Sequence, residues 1–237
     1  LDFTVFDRGS RAGLRDNGIG ALYVDRQGAL WISDSRGNVS RRTGIGQWQH
    51  WSPRDDMPKV LVQAMQMDSH DRLWLLYEAK GLGCLDPAGR LHFETAPAGV
   101  PMPMSFTKIA VDARDRVWIG TLDGLVLRDV DGVIKRAPAA WGLGQGLVWP
   151  YRAPDGVIWI AAGQQLYRLR GERPELVHRL PEPVHITAML QDRYGELWLG
   201  TENQGVLRVG NRGVERLPAS LKLPGGRVVS LREDAEG

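Results

Sequence analysis

The sequence has little of several residue types on which common functional sites depend. It contains one cysteine, Cys84, in 237 residues, which excludes an intramolecular disulfide and any zinc site built from several cysteines. No apolar run approaches the roughly 18 residues that a membrane-spanning helix requires, so we expect no membrane contact by this segment. Arg outnumbers Lys by 25 to 5 and the net charge is +2, which argues against a dedicated nucleic-acid-binding protein.

Motifs of catalysis and of cofactor binding are also missing. There is no nucleophile elbow, P-loop or dinucleotide fingerprint. The five histidines show no zinc spacing, and Asp129-Val-Asp131-Gly132 lacks the remaining oxygen ligands of a calcium loop and is interpreted as a turn. Cys84 lies in the apolar segment LGCL, which is typical of an inert core thiol. The sequence therefore predicts no metal, no cofactor and no enzymatic activity.

Tryptophan, by contrast, is abundant, and five of the nine tryptophans recur at nearly even intervals. The recurring residues are Trp31, Trp74, Trp118, Trp159 and Trp198, with spacings of 43, 44, 41 and 39 residues. A period of about 40 residues is typical of a repeat array. An Asp stands six residues before the Trp in four copies, and Ala153 replaces it in the fourth copy. Gly or Asp stands three residues before each Trp, as a tight turn with positive φ requires.

Each period contains four short apolar segments separated by polar turns. In the first copy these begin with IGALYV (19–24), the segment around Trp31 and VSR (39–41). Four strands per period of about 40 residues, without helical periodicity, predict an all-β β-propeller of four-stranded antiparallel blades. The whole of 1–237 is expected to be one propeller fragment of five complete blades. Partial blades are expected at both ends, with an outermost strand at Asp2–Phe6, an innermost strand at Arg227–Glu233 and an incomplete sixth repeat from about 226.

The repeat resembles a known family. The copies DARDRVWIGTLDGLVLR (112–128) and DRYGELWLGTENQGVLR (192–208) are the most similar to the two-component regulator propeller repeat. This resemblance implies a periplasmic sensor region of a bacterial signalling protein that is tethered to the inner membrane. The implied partners are downstream signalling domains of the same chain, a histidine kinase or a diguanylate cyclase, and a small-molecule ligand such as a carbohydrate, or a protein ligand. A homodimer is a further implied assembly.

Loop length indicates which end of the blades binds a ligand. The loops that join strands one to two and three to four are short turns, whereas the other loops are longer and more varied, as binding loops on a rigid scaffold are. The fourth copy departs most from the repeat, in AWGLGQGLVWPYR (140–152). Three copies have Ala ten residues before the core Trp. At the same position the fourth copy has Trp149 and the third copy has Lys108.

These departures define the predicted ligand-binding residues: Lys108, Trp141, Trp149, Tyr151 and Arg152. The aromatic rings are expected to stack on a sugar ring or a peptide, and Arg152 to pair with an anion. Local repacking, or an interface with a neighbouring domain, is the alternative interpretation of this segment.

Three functions remain open from the sequence. The first is a non-enzymatic sensing module, and the second is a propeller enzyme of the streptogramin lyase or lactonase kind. Such an enzyme requires a metal or a His/Glu pair at one mouth of the channel, and His185 begins an inner strand without a second catalytic residue at an equivalent place. The third is a scaffold that mediates dimerisation.

Overall fold

The computed structural model describes residues 7, 14–44, 47–54, 57–101, 108–143, 146–180, 182, 184–210, 213–217 and 226–234. These parts of the chain form five antiparallel sheets, each built from four strands that are consecutive in sequence and neighbours in the sheet. This is the strand order of propeller blades. We number the sheets as blades 1 to 5 in chain order.

The strand bounds are as follows. Blade 1 contains β1 (Ile19–Val24), β2 (Leu30–Asp34), β3 (Val39–Gly44) and β4 (Gln47–Trp51). Blade 2 contains β5 (Val62–Met67), β6 (Leu73–Tyr77), β7 (Gly81–Leu85) and β8 (Leu91–Thr95). Blade 3 contains β9 (Ile109–Val111), β10 (Val117–Thr121), β11 (Gly124–Arg128) and β12 (Ile134–Arg136). Blade 4 contains β13 (Val148–Arg152), β14 (Ile158–Ala162), β15 (Gln165–Arg170) and β16 (Arg173–Arg179). Blade 5 contains β17 (Ile186–Gln191), β18 (Leu197–Thr201), β19 (Val206–Gly210) and β20 (Gly213–Arg216).

The strands predicted within the five blades are confirmed. The innermost strand predicted beyond them is wrong. Arg227–Glu233 has no regular secondary structure. It meets blade 5 through single hydrogen bonds, from the Val228 amide to the Thr201 carbonyl at 2.9 Å and from the Thr187 hydroxyl to the Val228 carbonyl. These isolated contacts do not make a strand ladder. Asp2–Phe6 lies outside the described residues. Among the described residues, the single helical element is a 3₁₀ turn at Ala139–Trp141.

The turn residues adopt the backbone conformation that the repeat predicts. Three residues before the core Trp, φ is +81° at Gly28, +57° at Asp71, +61° at Asp115, +86° at Gly156 and +83° at Gly195. These angles lie in the left-handed region, which glycine and aspartate tolerate better than most residues. The turn thus fixes the register of the first two strands of each blade.

Burial follows the radial order expected of a blade. The second strands β6 and β10 are buried along their whole length, while the fourth strand β16 is mostly exposed. The first strand of blade 1 differs, because Leu22 is 64% exposed and Val24 is 52% exposed. The apolar residues of the second strands therefore form the centre of each blade's packing.

The chain divides into two compact units, one of Leu1–Val117 with Arg128–Lys135 and the other of Trp118–Leu127 with Arg136–Gly237. The core of the first unit includes Trp31, Val62 and Tyr77. The core of the second includes Trp149 and Leu199. Burial of one indole removes roughly 200 Å² from water, which contributes about 5 kcal/mol before conformational entropy is counted.

Candidate functional site

An aspartate in the first turn links the turn to the core tryptophan in blades 1, 2 and 5. In blade 1, Asp25 Oδ1 accepts hydrogen bonds from the amides of Gln27 at 3.0 Å and Ala29 at 2.8 Å. Its Oδ2 accepts from Trp31 Nε1 at 2.8 Å and from Arg41 Nη2 at 3.2 Å. Burial acts to raise the pKa of Asp25, but the hydrogen bonds from Trp31, Ala29 and Arg41 outweigh it and lower the pKa.

The same bond recurs in blades 2 and 5 and is missing in blade 4. Trp74 Nε1 donates to Asp68 Oδ2 at 2.9 Å, and Trp198 Nε1 donates to Asp192 Oδ2 at 2.8 Å. In blade 4 the equivalent carboxylate is replaced by the methyl group of Ala153. Among the described residues, Trp159 Nε1 is a buried donor without a hydrogen-bond partner in the protein. Blade 4 therefore departs from the repeat in its bonding as well as in its sequence.

Trp149, the first of the predicted binding residues, lines a groove in the second compact unit. It is 7% exposed, pairs with Ala161 across β13 and β14, and belongs to the buried core. The groove has a volume of about 230 Å³ and is also lined by Leu147, Gly163 and His185. Gly163 belongs to the short β14–β15 turn and His185 to the segment before β17, and both connections lie in the set that joins strands two to three and four to the next blade, where the sequence predicts binding.

Tyr151 and Arg152 lie at the other end of β13 from Trp149. The hydroxyl oxygen of Tyr151 accepts a hydrogen bond from the Gln191 amide at 2.9 Å, and burial raises the pKa of the phenol. Arg152 is half-buried, and its Nε is another buried donor without a partner in the described part of the protein. Because β13 is extended, the residues of this segment are distributed along the strand instead of converging at one end.

Trp141 and Lys108 are not among the residues that line the groove. Trp141 is half-buried on the 3₁₀ turn and packs on Trp118, with ring centroids 6.0 Å apart and planes inclined by 36°. Lys108 precedes β9 in the other compact unit. Its surface is exposed, yet desolvation by the surrounding protein lowers its pKa. The five predicted residues thus divide among separate environments, and Trp149 is the one that lines the groove.

A His–Glu pair at the rim of the groove was missed by the sequence reasoning. His185 Nδ1 lies 3.1 Å from Glu202 Oε2, and the Glu202 amide donates to the His185 carbonyl at 3.0 Å. Both side chains are at least half exposed. The same backbone bond joins Gly18 and Ser35 in blade 1. The repeat positions thirteen before and four after the core Trp therefore meet in both blades.

A second cluster of ionisable groups lies in the first compact unit. Asp68, His70 and Asp115 place one ligand atom each within 4.8 Å of one another, a geometry that could hold a metal ion. Their present partners are protein groups, because Asp115 accepts from the Ser69 hydroxyl at 2.6 Å and Asp68 accepts from Trp74. The cluster therefore joins the first turn of blade 2 to that of blade 3 through hydrogen bonds.

Cys84 behaves as predicted from its apolar surroundings. It is 7% exposed, and burial raises the pKa of its thiol to about 12. A thiol with this pKa is protonated at neutral pH and is a poor nucleophile or metal ligand. It takes no part in the candidate site.

Two segments of the chain, residues 13–36 and 180–203, match the family model described as "Two component regulator propeller". The predicted resemblance is confirmed, and the chain carries repeats of this type. The matches contain the core turns of blades 1 and 5. No curated protein sequence matches the chain.

Similar solved structures are propellers from signalling proteins and from a lyase. The extracellular domain of the hybrid two component system BT3049 from B. thetaiotaomicron has a TM-score of 0.75 at 22% identity, covering 94% of this chain and 32% of that one. The extracellular domain of the one component system BT4673 from the same organism has a TM-score of 0.71 at 16% identity, covering 94% and 32%. A catalytically inactive His-to-Ala variant of virginiamycin B lyase from Staphylococcus aureus, with quinupristin, has a TM-score of 0.71 at 16% identity, covering 90% and 73%.

These likenesses establish the fold. The predicted all-β propeller is confirmed, and two of its blades match the two-component regulator propeller repeat. The chain spans about a third of the length of the two solved extracellular domains. In the described parts, no helix is long and apolar enough to cross a bilayer.

Proposed function

We propose that this chain is the sensor propeller of a bacterial two-component or cyclic-di-GMP signalling protein and that it is itself non-catalytic. The observation that carries the proposal is the match of two blades to the two-component regulator propeller repeat. The likeness to the extracellular domains of BT3049 and BT4673 supports an extracytoplasmic position. In this proposal the chain lies in the periplasm, and the same protein carries a histidine kinase or diguanylate cyclase beyond a membrane anchor.

The groove beside Trp149 is the proposed ligand site. Its volume of about 230 Å³ suits one sugar ring or one peptide side chain. The apolar lining of Trp149 and Leu147 suits the C–H face of a sugar, and the exposed His185–Glu202 pair supplies polar groups for hydroxyls. We favour a carbohydrate because apolar contact and hydroxyl recognition lie side by side.

Signalling requires that the ligand bind two states of the protein with different affinity. A tenfold difference biases the equilibrium by about 1.4 kcal/mol, which is within the range of ordinary allosteric coupling. No catalytic group is needed for this action.

Titration of the 237-residue chain tests the ligand site. Isothermal titration calorimetry with glucose, galactose and cellobiose is expected to give binding of at least one sugar, and Leu147→Trp, which fills the groove, is expected to weaken it at least tenfold. Leu176→Trp on the exposed face of β16 is the matched control, since Leu176 is 41% exposed and does not line the groove. Binding retained in a folded Leu147→Trp variant, or none with any of these sugars, would overturn the proposed site.

The gene beyond Gly237 tests the signalling assignment separately. A membrane-spanning segment followed by a kinase or cyclase domain supports it. A stop codon soon after two further repeats contradicts it.

A lyase is the second candidate, and the His185–Glu202 pair is the observation that favours it. The sequence shows no second catalytic residue beside His185, whereas in the structure His185 Nδ1 lies 3.1 Å from Glu202 Oε2. The similar virginiamycin B lyase is inactive when a histidine is replaced. Incubation of the chain with quinupristin, followed by liquid chromatography, is expected to leave the compound unchanged. Conversion that is lost in His185→Ala would establish the enzyme instead.

A further inference from the structure

The first turn of blade 4 keeps the backbone of the regular blades. The Ala153 amide donates to the Val157 carbonyl at 2.8 Å, and the Gly156 amide donates to the Ala153 carbonyl at 2.9 Å. The corresponding bonds of the Asp25 turn are both 3.0 Å. Ala153 is 3% exposed, so its methyl group is buried where the Cβ of the regular aspartate lies, and it supplies no carboxylate. The difference between the blades therefore lies in the side chain and not in the fold of the turn.

The indole donor that binds the turn carboxylate in blade 1 has no protein acceptor in blade 4. Trp31 Nε1 and Arg41 Nη2 both donate to Asp25. Their counterparts Trp159 and Arg168 face each other across β14 and β15 as Trp31 and Arg41 do across β2 and β3. Trp159 Nε1 and Arg168 Nε are buried without a partner among the described residues. Arg41 Nε in blade 1 is also buried without a partner among the described residues. The unpartnered indole nitrogen of Trp159 is therefore the feature that distinguishes blade 4 from blade 1.

A groove of about 350 Å³ lies against these donors. Trp159, Arg168 and His178 line it, together with residues of blade 5. Two carboxylates also face it, and both have partners. Asp155 accepts from the Val157 amide at 2.9 Å and from Gln191 Nε2 at 3.1 Å, while Glu196 lies 3.4 Å from Arg208. Neither carboxylate is bonded to the indole nitrogen.

We infer that blade 4 binds the carboxylate of a small molecule on Trp159 and Arg168, in the place that the turn aspartate occupies in the regular blades. A carboxylate oxygen satisfies a buried N–H and pairs with the guanidinium, which is a stronger interaction than a neutral hydrogen bond. Both donor atoms are buried in this structure, so a ligand reaches them only when a side chain that lines the groove moves. The site lies on the face of Trp159, away from the Trp149 groove, and does not depend on the proposed sugar site.

Indole resonances report binding at this site directly. The Trp159 indole N–H signal, assigned with Trp159→Phe, is followed in ¹H–¹⁵N spectra while acetate replaces chloride at constant ionic strength. We expect a saturable shift of this signal with acetate and none with acetamide, which has the same shape without the charge. In Ala153→Asp the protein supplies its own carboxylate, and the affinity for acetate is expected to fall at least tenfold.

Two further ligands distinguish the sources of the carboxylate. Glucuronate tests a uronic acid, with glucose as its neutral control. N-acetyl-glycyl-glycine tests a peptide carboxyl terminus, with its amide as the control. The class that binds more tightly than acetate is the expected source.

Two variants keep the inference falsifiable. Ala153→Asp restores the residue found in the other four copies and is expected to melt no lower than the wild type. Arg168→Gln keeps a polar side chain but removes the positive charge, and it is expected to weaken acetate binding at least fivefold while leaving the fold intact. An acetate shift of equal affinity in the wild type, Ala153→Asp and Arg168→Gln overturns the inference. So does the lack of any shift at the Trp159 indole in the wild type.

Discussion

The indole nitrogen of Trp31 donates a hydrogen bond of 2.8 Å to the carboxylate of Asp25, six residues earlier in the chain. The other oxygen of the same carboxylate accepts two amides of the turn. One side chain thus fixes both the turn and the large residue that follows it. This double role explains why the Asp–Trp spacing is constant although the repeat length varies from 39 to 44 residues.

Removal of this carboxylate is expected to be costly. Asp25→Ala leaves the Trp31 indole and two turn amides without their acceptor, and the free energy of unfolding is expected to fall by about 3 kcal/mol. Urea unfolding followed by fluorescence measures the change. Asp129→Ala is the control, because Asp129 lies in an exposed turn and its change is expected to cost less than about 1 kcal/mol. Equal losses for the two variants would contradict the role assigned to Asp25.

Gly120 is expected to tolerate no side chain. A Cβ at this position would lie 1.8 Å from the Val148 carbonyl oxygen, because the start of β13 lies against Gly120. Gly120→Ala is therefore expected to lower the free energy of unfolding by about 3 kcal/mol or more. Gly210→Ala is the matched control, since the nearest atom to its Cβ would be 3.5 Å away. A Gly120→Ala variant as stable as the Gly210→Ala variant would show that the two strands are not in this contact.

A buried ion pair within the first compact unit is expected to depend on the shape of arginine. Arg128 donates to both oxygens of Glu94, at 2.8 and 2.7 Å, and its guanidinium lies 4.4 Å from the Trp74 ring centroid. Lysine cannot make the two parallel bonds, so Arg128→Lys is expected to cost about 1–2 kcal/mol in thermal or urea unfolding. Arg170→Lys, in the exposed pair with Glu175, is expected to cost less than about 0.5 kcal/mol. A larger loss of stability in Arg170→Lys than in Arg128→Lys would contradict the role assigned to the Arg128–Glu94 pair.

Cys84 is expected to resist alkylation in the folded protein. Its pKa is raised from 9.0 to about 12 by burial, so at pH 9 about one thiol in a thousand is ionised. Because the folded state holds this proton more tightly, its contribution to stability is complete below pH 9 and is lost as the pH rises towards 12. Iodoacetamide labelling at pH 9, with and without urea, measures the difference. Equal rates in the two states would contradict the burial of the thiol.

The blades were predictable from the sequence, because each is built from interactions between residues close in the chain. The Trp31–Asp25 hydrogen bond joins residues that are six apart in the chain. The sequence therefore repeats an Asp six residues before the core Trp in four of the five blades. The prediction of an innermost strand at Arg227–Glu233 was wrong. A hydrophobic pattern indicates a strand, but a strand forms a ladder only where a neighbouring strand pairs with it.

The candidate site was predicted less well, for reasons of geometry. Trp149, Tyr151 and Arg152 are close in sequence, but an extended strand separates its residues along its length and directs alternate side chains to opposite faces. The His185–Glu202 pair was not predicted, because its two residues are 17 apart in the chain and meet where two loop segments pair. Sequence comparison of one repeat with another finds unusual residues but does not show which of them meet.

The proposed sensor function is tested most directly by the output of the full-length protein in membrane vesicles. The proposed kinase or cyclase activity is measured with glucose, galactose and cellobiose, for the wild type, Leu147→Trp and the control Leu176→Trp. We expect at least a threefold change in the wild type and in Leu176→Trp with the sugar that binds, and a constant output in Leu147→Trp. An equal response in all three proteins, or no response of the wild type to any of these sugars, would contradict the account.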